Sequence, residues 1–339
     1  MTTQIILDCD PGHDDAIALL LAYGSPSIEL LAVTTVAGNQ TLEKVSQNAR
    51  SIAQIAGIVD VPFAAGCDRP LVRPLQVASA VHGESGLDGP VLPAPDIPLS
   101  STHAVDLIIE TVMSRPPQSV TLVPTGALTN IALAARKEPR IVPRVREVVL
   151  MGGGFHGGNW SATSEFNIAI DPEAAHIVFN ENWSVTMVGL DVTHKALAIP
   201  EILDRIREVG TRPAAFVLEL LDYFTTAYAE SQGFAHPPVH DPVAVARVID
   251  PSIVPVVRVP IDIELSGNHT LGMTVADFRS SPDDNCTTFA ATDLDHGRFW
   301  ALVVDALQAI GEPAAYATHR PDSSSVRPAP EEFALEHEE

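Results

Sequence analysis

QIILDCDPGHDDAIALLLAY, residues 4–23, decides how the rest of the chain is read. It opens on an apolar run at 5–7, passes through Asp8, Asp10, Pro11, Gly12, Asp14 and Asp15, and continues into a run of helical character at 16–23. Those signals predict a strand, a tight turn and a helix start. Strand side chains alternate, so Asp8 and Asp10 share a face while Cys9 points the other way. Asp10 then falls at the carboxyl end of the strand, where open α/β sheets place their ligands. Asp14 and Asp15 occupy the first helical turn, which favours acidic groups. Adjacent helical residues diverge by about 100°, which predicts one of the two on a cation and one on a substrate. Four carboxylates lie within eight residues, and the nearest Lys or Arg is Lys44. A bound cation is the economical explanation. An acidic cap on a core helix would account for any one of these aspartates, but poorly for four together.

Outward from this stretch, strand-like runs at 30–36, 61–64, 120–123, 148–151 and 185–190 alternate with helix-like runs at 41–56, 102–113, 127–137 and 172–180. The alternation predicts an α/β fold: a single domain with a mostly parallel central sheet flanked by helices on both faces. Further helices are expected at 214–232 and 296–310, with a hairpin-like pair at 255–265 and 270–275. Residues 67–100 are rich in Pro and Gly without periodicity and too long for an ordinary connector, so they read as a functional loop carrying HGESGLDG. From Pro313 the composition shifts to Pro, Ser and Glu, which sets a domain at 1–312 apart from an acidic tail at 313–339 with too little apolar surface to order itself.

The bulk numbers exclude several partners. The tail carries six acids and two arginines, so −19 of the net −23 belongs to the domain. That charge repels phosphate backbones and anionic membranes, which argues against nucleic acid and membrane surfaces. Cys9, Cys67 and Cys286 are widely separated and form no metal or disulfide pattern. With no basic, apolar leader in MTTQII and no apolar run of membrane length, a cytoplasmic location is expected.

Three further stretches carry candidate chemistry at strand ends. VTLVPTGALTN places Thr125 after a strand and before a helix. VVLMGGGFHGGNWSATSEFNIAIDPEAA contains Met151, Asn159, Glu165, Phe166, Asn167 and Asp171. Its Gly152, Gly154 and Gly157 spell GxGxxG, but a dinucleotide site needs the glycine loop to open a helix at once. Residues 158–161 continue as loop instead, with helical character only near Pro172. PVHDPVAVA joins His240, which titrates near neutrality, to Asp241 at a helix start. Asn39, in VAGNQ, stands at another strand end.

DCDPGHDD, together with these blocks in the same order and spacing from about residue 5 to Asp241, resembles the nucleoside hydrolases, the Ca-dependent N-ribohydrolases that include the inosine-uridine-preferring enzymes. The resemblance implies hydrolysis of the N-glycosidic bond of a ribonucleoside to ribose and free base. It implies Ca²⁺ held by Asp10, Asp15, Asp241 and the Thr125 carbonyl, orienting a water for which Asp10 is the base. Asp8 would support these ligands from behind. Asp14, Asn39, Asn159, Glu165, Asn167 and Asp241 would bind the ribose. Met151 would lie on the 5′ side, Phe166 against the ring or base, and His82 near the base, with His240 protonating the leaving base. A homodimer or homotetramer is the family's assembly. Phe224, Tyr228 and Gln232 share a helical face and are candidates to line the base, although core packing gives the same spacing. Two other readings stay open: a metal-dependent phosphohydrolase, since DxD at a strand end also serves phosphate transfer, and a nucleoside- or sugar-binding protein without turnover.

Overall fold

A computed structural model describes residues 2–311. The acidic tail expected at 313–339 lies outside them. In chain order the elements are β1 (Thr3–Cys9), α1 (His13–Gly24), β2 (Ile28–Thr35), α2 (Leu42–Ala56), β3 (Phe63–Ala65), α3 (Ser79–His82), α4 (Ala104–Ser114), β4 (Val120–Pro124), α5 (Thr129–Lys137), β5 (Val145–Met151), α6 (Phe166–Ile170) and α7 (Pro172–Asn180). Then follow β6 (Val185–Val188), α8 (Leu190–Thr193), α9 (Pro200–Val209), α10 (Arg212–Gln232), α11 (Asp241–Ile249), β7 (Val256–Arg258), β8 (Ile261–Ile263), β9 (Thr274–Ala276), β10 (Thr288–Ala291) and α12 (His296–Ala309).

Among the described residues the main sheet has eight strands in the order β3-β2-β1-β4-β5-β6-β10-β7. All its pairings are parallel except β7 with β10. The strand order reverses at β1, whose neighbours are β2 and β4, and such a switch point opens a crevice at the carboxyl edge. Register aligns that edge: Cys9 pairs with Thr35 and Asp8 with Pro124, so Asp10, the segment after Thr35, and Thr125 leave the sheet side by side.

Helices cover both faces, as the alternating pattern predicts. Ile5, Leu7 and Cys9 point into a core built with α1, α2 and α9 to α12, and Ile6 into a core built with α4, α5 and α7. A strand enclosed on both sides has no polar face to spare, which is why 5–7 is a continuous apolar run. The first helix is buried all round from His13 to Ala22, packed on β2 and against α11 and α12. Asp15 Oδ2 accepts the Gly12 N–H at 3.0 Å, tying the helix start to its own first turn.

Several boundaries differ from the sequence reading for identifiable reasons. Thr41 flanks α2 in an extended conformation rather than joining it. The expected hairpin is split: β8 pairs antiparallel with β9, whereas Val256–Arg258 joins β10 in the main sheet after Pro260 interrupts the run. Leu190 opens α8 instead of prolonging β6. Helical structure after the glycine loop begins at Phe166 rather than Pro172, because the Glu165 carboxylate accepts the Asn167 and Ile168 N–H groups and caps α6. Within 67–100 the chain makes one helical turn, α3. Strand β10 and helix α9 were not read from the sequence; β10 is four residues long and α9 is highly polar. No helix among the described residues is long and apolar enough to cross a membrane.

Because α1 has no exposed side, truncating its core should be costly. Leu20→Ala is expected to lower unfolding free energy by about 2–5 kcal/mol in guanidinium titrations, and Leu20→Met by under about 1.5 kcal/mol. Equal losses for the two would show that packing at Leu20 is not what holds the helix.

Candidate active site

The turn after β1 drops Asp10 onto the carboxyl edge, and α1 begins three residues later, so Asp14 and Asp15 point back over the same edge. Although they diverge around the helix, both bring a carboxylate oxygen within 4.8 Å of one from Asp241, at the start of α11. All three are buried. Asp15 Oδ1 accepts from Thr125 Oγ1 at 2.8 Å, and Asp14 Oδ2 accepts the His240 N–H at 3.1 Å. The N-termini of α1 and α11 therefore meet at one acidic point, with both helix dipoles favouring negative charge there.

Asp10 stands beside this trio. Its Oδ2 accepts the Asn39 N–H at 2.7 Å, while its Oδ1 is buried without a hydrogen-bond partner. Two glycines make room for it: a Cβ on Gly38 would lie 1.9 Å from Asp10 Oδ2, and one on Gly126 would lie 2.7 Å from Oδ1. Burial pushes Asp10, Asp15 and Asp241 above the usual carboxylate range and Asp14 up to about 7, with repulsion between the neighbouring carboxylates adding to the rise in Asp10, Asp14 and Asp241. An orphaned buried oxygen, a cradle cleared of side chains and an all-oxygen donor set fit a hard divalent cation. Asp14, Asp15 and Asp241 could hold a metal ion, with Asp10 beside them.

Asp8 is bonded into the scaffold through one oxygen: Oδ1 accepts from Thr34 Oγ1 at 2.6 Å and Asn130 Nδ2 at 2.8 Å, while Oδ2 is buried without a hydrogen-bond partner. Burial raises it to about 7 against those hydrogen bonds. Asp171 likewise serves the scaffold, accepting from Thr129 Oγ1, Leu71 N and Ala174 N.

Above the cluster lies a cavity of about 220 Å³. Of the residues singled out in the sequence, Asp14, Asn39, His82, Thr125, Met151, Asn159, Glu165, Phe166, Asn167, His240 and Asp241 line it, with Asp10 and Asp15 buried alongside. Tyr228 and Gln232 line it too, whereas Phe224 is fully buried and stacks on His13. No Lys or Arg is in the lining.

The polar walls are braced so that one face of each group is left over. Asn39 Nδ2 donates to Asp10 O and Asp15 Oδ2. Asn167 Nδ2 donates to the Thr125 carbonyl at 2.8 Å and to Met151 O at 3.2 Å. Asn159 Oδ1 accepts the Phe166 N–H. Glu165 accepts from Gly153, Asn167 and Ile168 N–H groups, and burial still lifts it to about 7. A carbonyl oxygen has two lone pairs, so the Thr125 carbonyl can accept from Asn167 and still face the carboxylates. His240 is held at both nitrogens, Nδ1 by Thr193 Oγ1 at 2.8 Å and Nε2 by Tyr228 Oη at 2.6 Å. Burial pushes its pKa down to about 3, so near neutrality it is an uncharged imidazole.

The sequence reading missed Trp160 and residues 77–81 in the cavity lining, and His13 and Thr193 as the partners of His82 and His240. His13 stands inside the DCDPGHDD motif, so its position was a signal. Thr193 and Trp160 belong to no pattern and reach the site only through folding.

The fold and the site together define an α/β enzyme with a carboxylate cluster able to take a metal and a cavity for an uncharged ligand. Residues 5–301 match the family model described as inosine-uridine preferring nucleoside hydrolase. The chain is 61% identical over 314 residues to the inosine-uridine preferring nucleoside hydrolase of Crithidia fasciculata, covering 92% of this chain and 100% of the relative. It is 44% identical over 308 residues to the pyrimidine-specific ribonucleoside hydrolase RihA of Photobacterium profundum, covering 91% and 99%. In structure it is similar to a purine-preferring ribonucleoside hydrolase from Gardnerella vaginalis, with a TM-score of 0.85, 32% identity, and 90% and 98% of the two chains covered. The chain belongs to the inosine-uridine preferring nucleoside hydrolase family, and is a hydrolase of the N-glycosidic bond of ribonucleosides.

Raised carboxyl pKa values set a sign for stability. Between the unfolded value of about 3.9 and the folded value, the metal-free native state binds more protons than the unfolded chain, so stability is lost as pH rises through that window. For Asp14 the window closes near about 7. A divalent cation that relieves the repulsion should therefore raise the melting temperature more near pH 8 than near pH 5. Asp15→Asn should shrink the difference. An equal shift at both pH values would show that the cation binds elsewhere.

Proposed function

We propose that this protein cleaves inosine and uridine to ribose and free base, with Asp10 as general base and His240 in the proton route to the leaving base. One observation carries the reading: four buried carboxylates with no basic partner lie at one side of a cavity whose remaining lining mixes apolar side chains, amides, imidazoles and the Glu165 carboxylate, with no Lys or Arg. The base preference rests on the identity to the Crithidia relative. A phosphorylated substrate would bring further negative charge beside four carboxylates with no basic side chain to meet it, since neither Lys nor Arg lines the cavity. The comparisons likewise favour turnover over a purely binding role.

Asp10, Asp15, Asp241 and the Thr125 carbonyl would hold Ca²⁺, which when bound supplies a Lewis acid that orients water and lowers its pKa. Asp10, held at Oδ2 by the Asn39 N–H, would take the proton that the attacking water gives up. Asp14, Asp241, Asn39, Asn159, Glu165 and Asn167 bind the ribose hydroxyls with the faces their scaffold bonds leave over. Met151 covers the 5′ side and Phe166 the ring or base, with His82 near the base. As the ribosyl ring gains oxocarbenium character, the surrounding carboxylates stabilise its positive charge.

His240, neutral and bonded to Tyr228, stands in the proton route: the proton that the imidazole–phenol pair gives up is replaced by the one that Asp10 takes from the attacking water. The leaving base collects the pair's proton as the glycosidic bond breaks. Three unpaired cysteines support a cytoplasmic enzyme, and the family resemblance a homodimer or homotetramer, which sedimentation would read directly.

Ribose release from inosine, uridine, cytidine, adenosine and guanosine, with and without calcium, tests the reading. Inosine and uridine should lead; full activity after exhaustive EDTA dialysis would remove the cation from the mechanism. Asp10→Ala should reduce turnover by several orders of magnitude, on the scale of about 10⁴-fold, with the fold intact. His240→Ala and Tyr228→Phe should each slow inosine by about 10²–10⁴-fold and barely affect a nitrophenyl riboside, whose leaving group needs no proton. Equal losses on both substrates would argue against the acid role.

A further inference from the structure

The ring of His13, the first residue of α1, is fully buried. It lies nearly parallel to Tyr223 and Phe224, at centroid separations of 5.1 and 4.9 Å and interplanar angles of 7° and 6°, with His82 stacked at 5.4 Å. Both of its ring nitrogens are committed. Nε2 is 2.9 Å from the Asp88 carbonyl oxygen, and Nδ1 is 3.2 Å from His82 Nδ1.

A carbonyl oxygen only accepts, so His13 Nε2 carries the proton. In a neutral imidazole Nδ1 is then a bare acceptor, and the facing His82 Nδ1 must donate to it. His82 Nε2 is thereby left without a proton. A second contact onto His82 Nδ1, from the His13 backbone N–H at 3.4 Å, is the longer and weaker of the two. Gly12 permits the approach, since a Cβ there would lie 2.5 Å from His82 Nδ1. The Asp88 N–H donates to His82 O at 3.3 Å, so His82, Asp88 and His13 close a ring of hydrogen bonds. The loop within that ring is pinned by the Asp88 carboxylate, which accepts the Glu84 and Ser85 N–H groups. His82 Nε2 is neither bonded within the described residues nor sealed from solvent, and the residue lines the substrate cavity.

We propose that His13 is a positioning residue: it orients His82 and fixes the tautomer in which His82 Nε2 faces the cavity as an acceptor for a hydrogen-bond donor of the nucleoside. The ligand in this proposal rests on the ribonucleoside hydrolase reading; the tautomer does not.

Long-range ¹H–¹⁵N NMR of the full-length protein should show His82 protonated at Nδ1. His13→Phe keeps the ring stack but removes both nitrogens. It should release His82 to the Nε2–H form and raise KM for inosine roughly tenfold, with kcat within about twofold. His82→Ala should raise KM to a similar extent, and the double variant no further. His13→Gln, which can donate to Asp88 and accept from His82, should restore both tautomer and KM; if His13→Phe does not fold, the His82 tautomer in the unsubstituted protein decides. An Nε2–H His82 in the unsubstituted protein, or single-variant losses that multiply in the double, would overturn the proposal. The Nδ1–H signature with no ribose release from any nucleoside would leave the tautomer standing and sink the substrate reading instead.

Discussion

The structure depends on bringing Asp10, Asp14, Asp15 and Asp241 out of water into one place with no Lys or Arg to meet them. Burying unpaired charge is among the most expensive things a fold can do, and the cost is reduced only by hydrogen bonds, helix dipoles or a bound cation. Here the first two are spent in full. Backbone N–H groups of Gly12, Asn39 and His240 and the Thr125 hydroxyl all point at these carboxylates, and two helix N-termini converge on them. What they leave unmet, the bare Asp10 Oδ1, is the feature a cation would complete.

That arrangement explains why the scaffold around it is stiff. Asp10, Asp14 and Asp15 come from the β1–α1 connection, Asp241 from the start of α11 and the Thr125 carbonyl from the end of β4, so the register of β1 with β2 and β4 helps to set their spacing. The wholly buried α1 fixes Asp14 and Asp15 because a helix packed on every side has no freedom to roll. Glycines at 38 and 126 are required by the volume of Asp10 rather than by backbone conformation.

The upper half of the cavity follows a different logic. His82 and His240 are both buried and uncharged, and both are held through their ring nitrogens: His82 by His13, inside the DCDPGHDD motif, and His240 by Thr193 and Tyr228, which no short motif records. The lower half gathers charge against solvation, whereas the upper half places single protons. A floor of carboxylates beneath two neutral imidazoles suits a sugar that becomes positive and a base that leaves as an acceptor.

The sequence by itself determined the strand, turn and helix at 4–23, the parallel α/β class, and the identity of nearly every polar group in the cavity. It could do so because those features are local: an apolar run enclosed on both faces, carboxylates too dense to ignore, and blocks whose spacing is preserved. Only the tertiary structure decided that Asp14 and Asp15 both reach Asp241, that Asp8 and Asp171 brace the scaffold, that Phe224 stacks on His13 instead of facing the cavity, and that Val256–Arg258 leaves its hairpin for the main sheet. Each of these turns on which side chains meet across long stretches of chain, and periodicity carries no information about that. The protonation of His82 and His240 lies further still from the sequence, since it is set by burial and by the atom on the far side of each hydrogen bond.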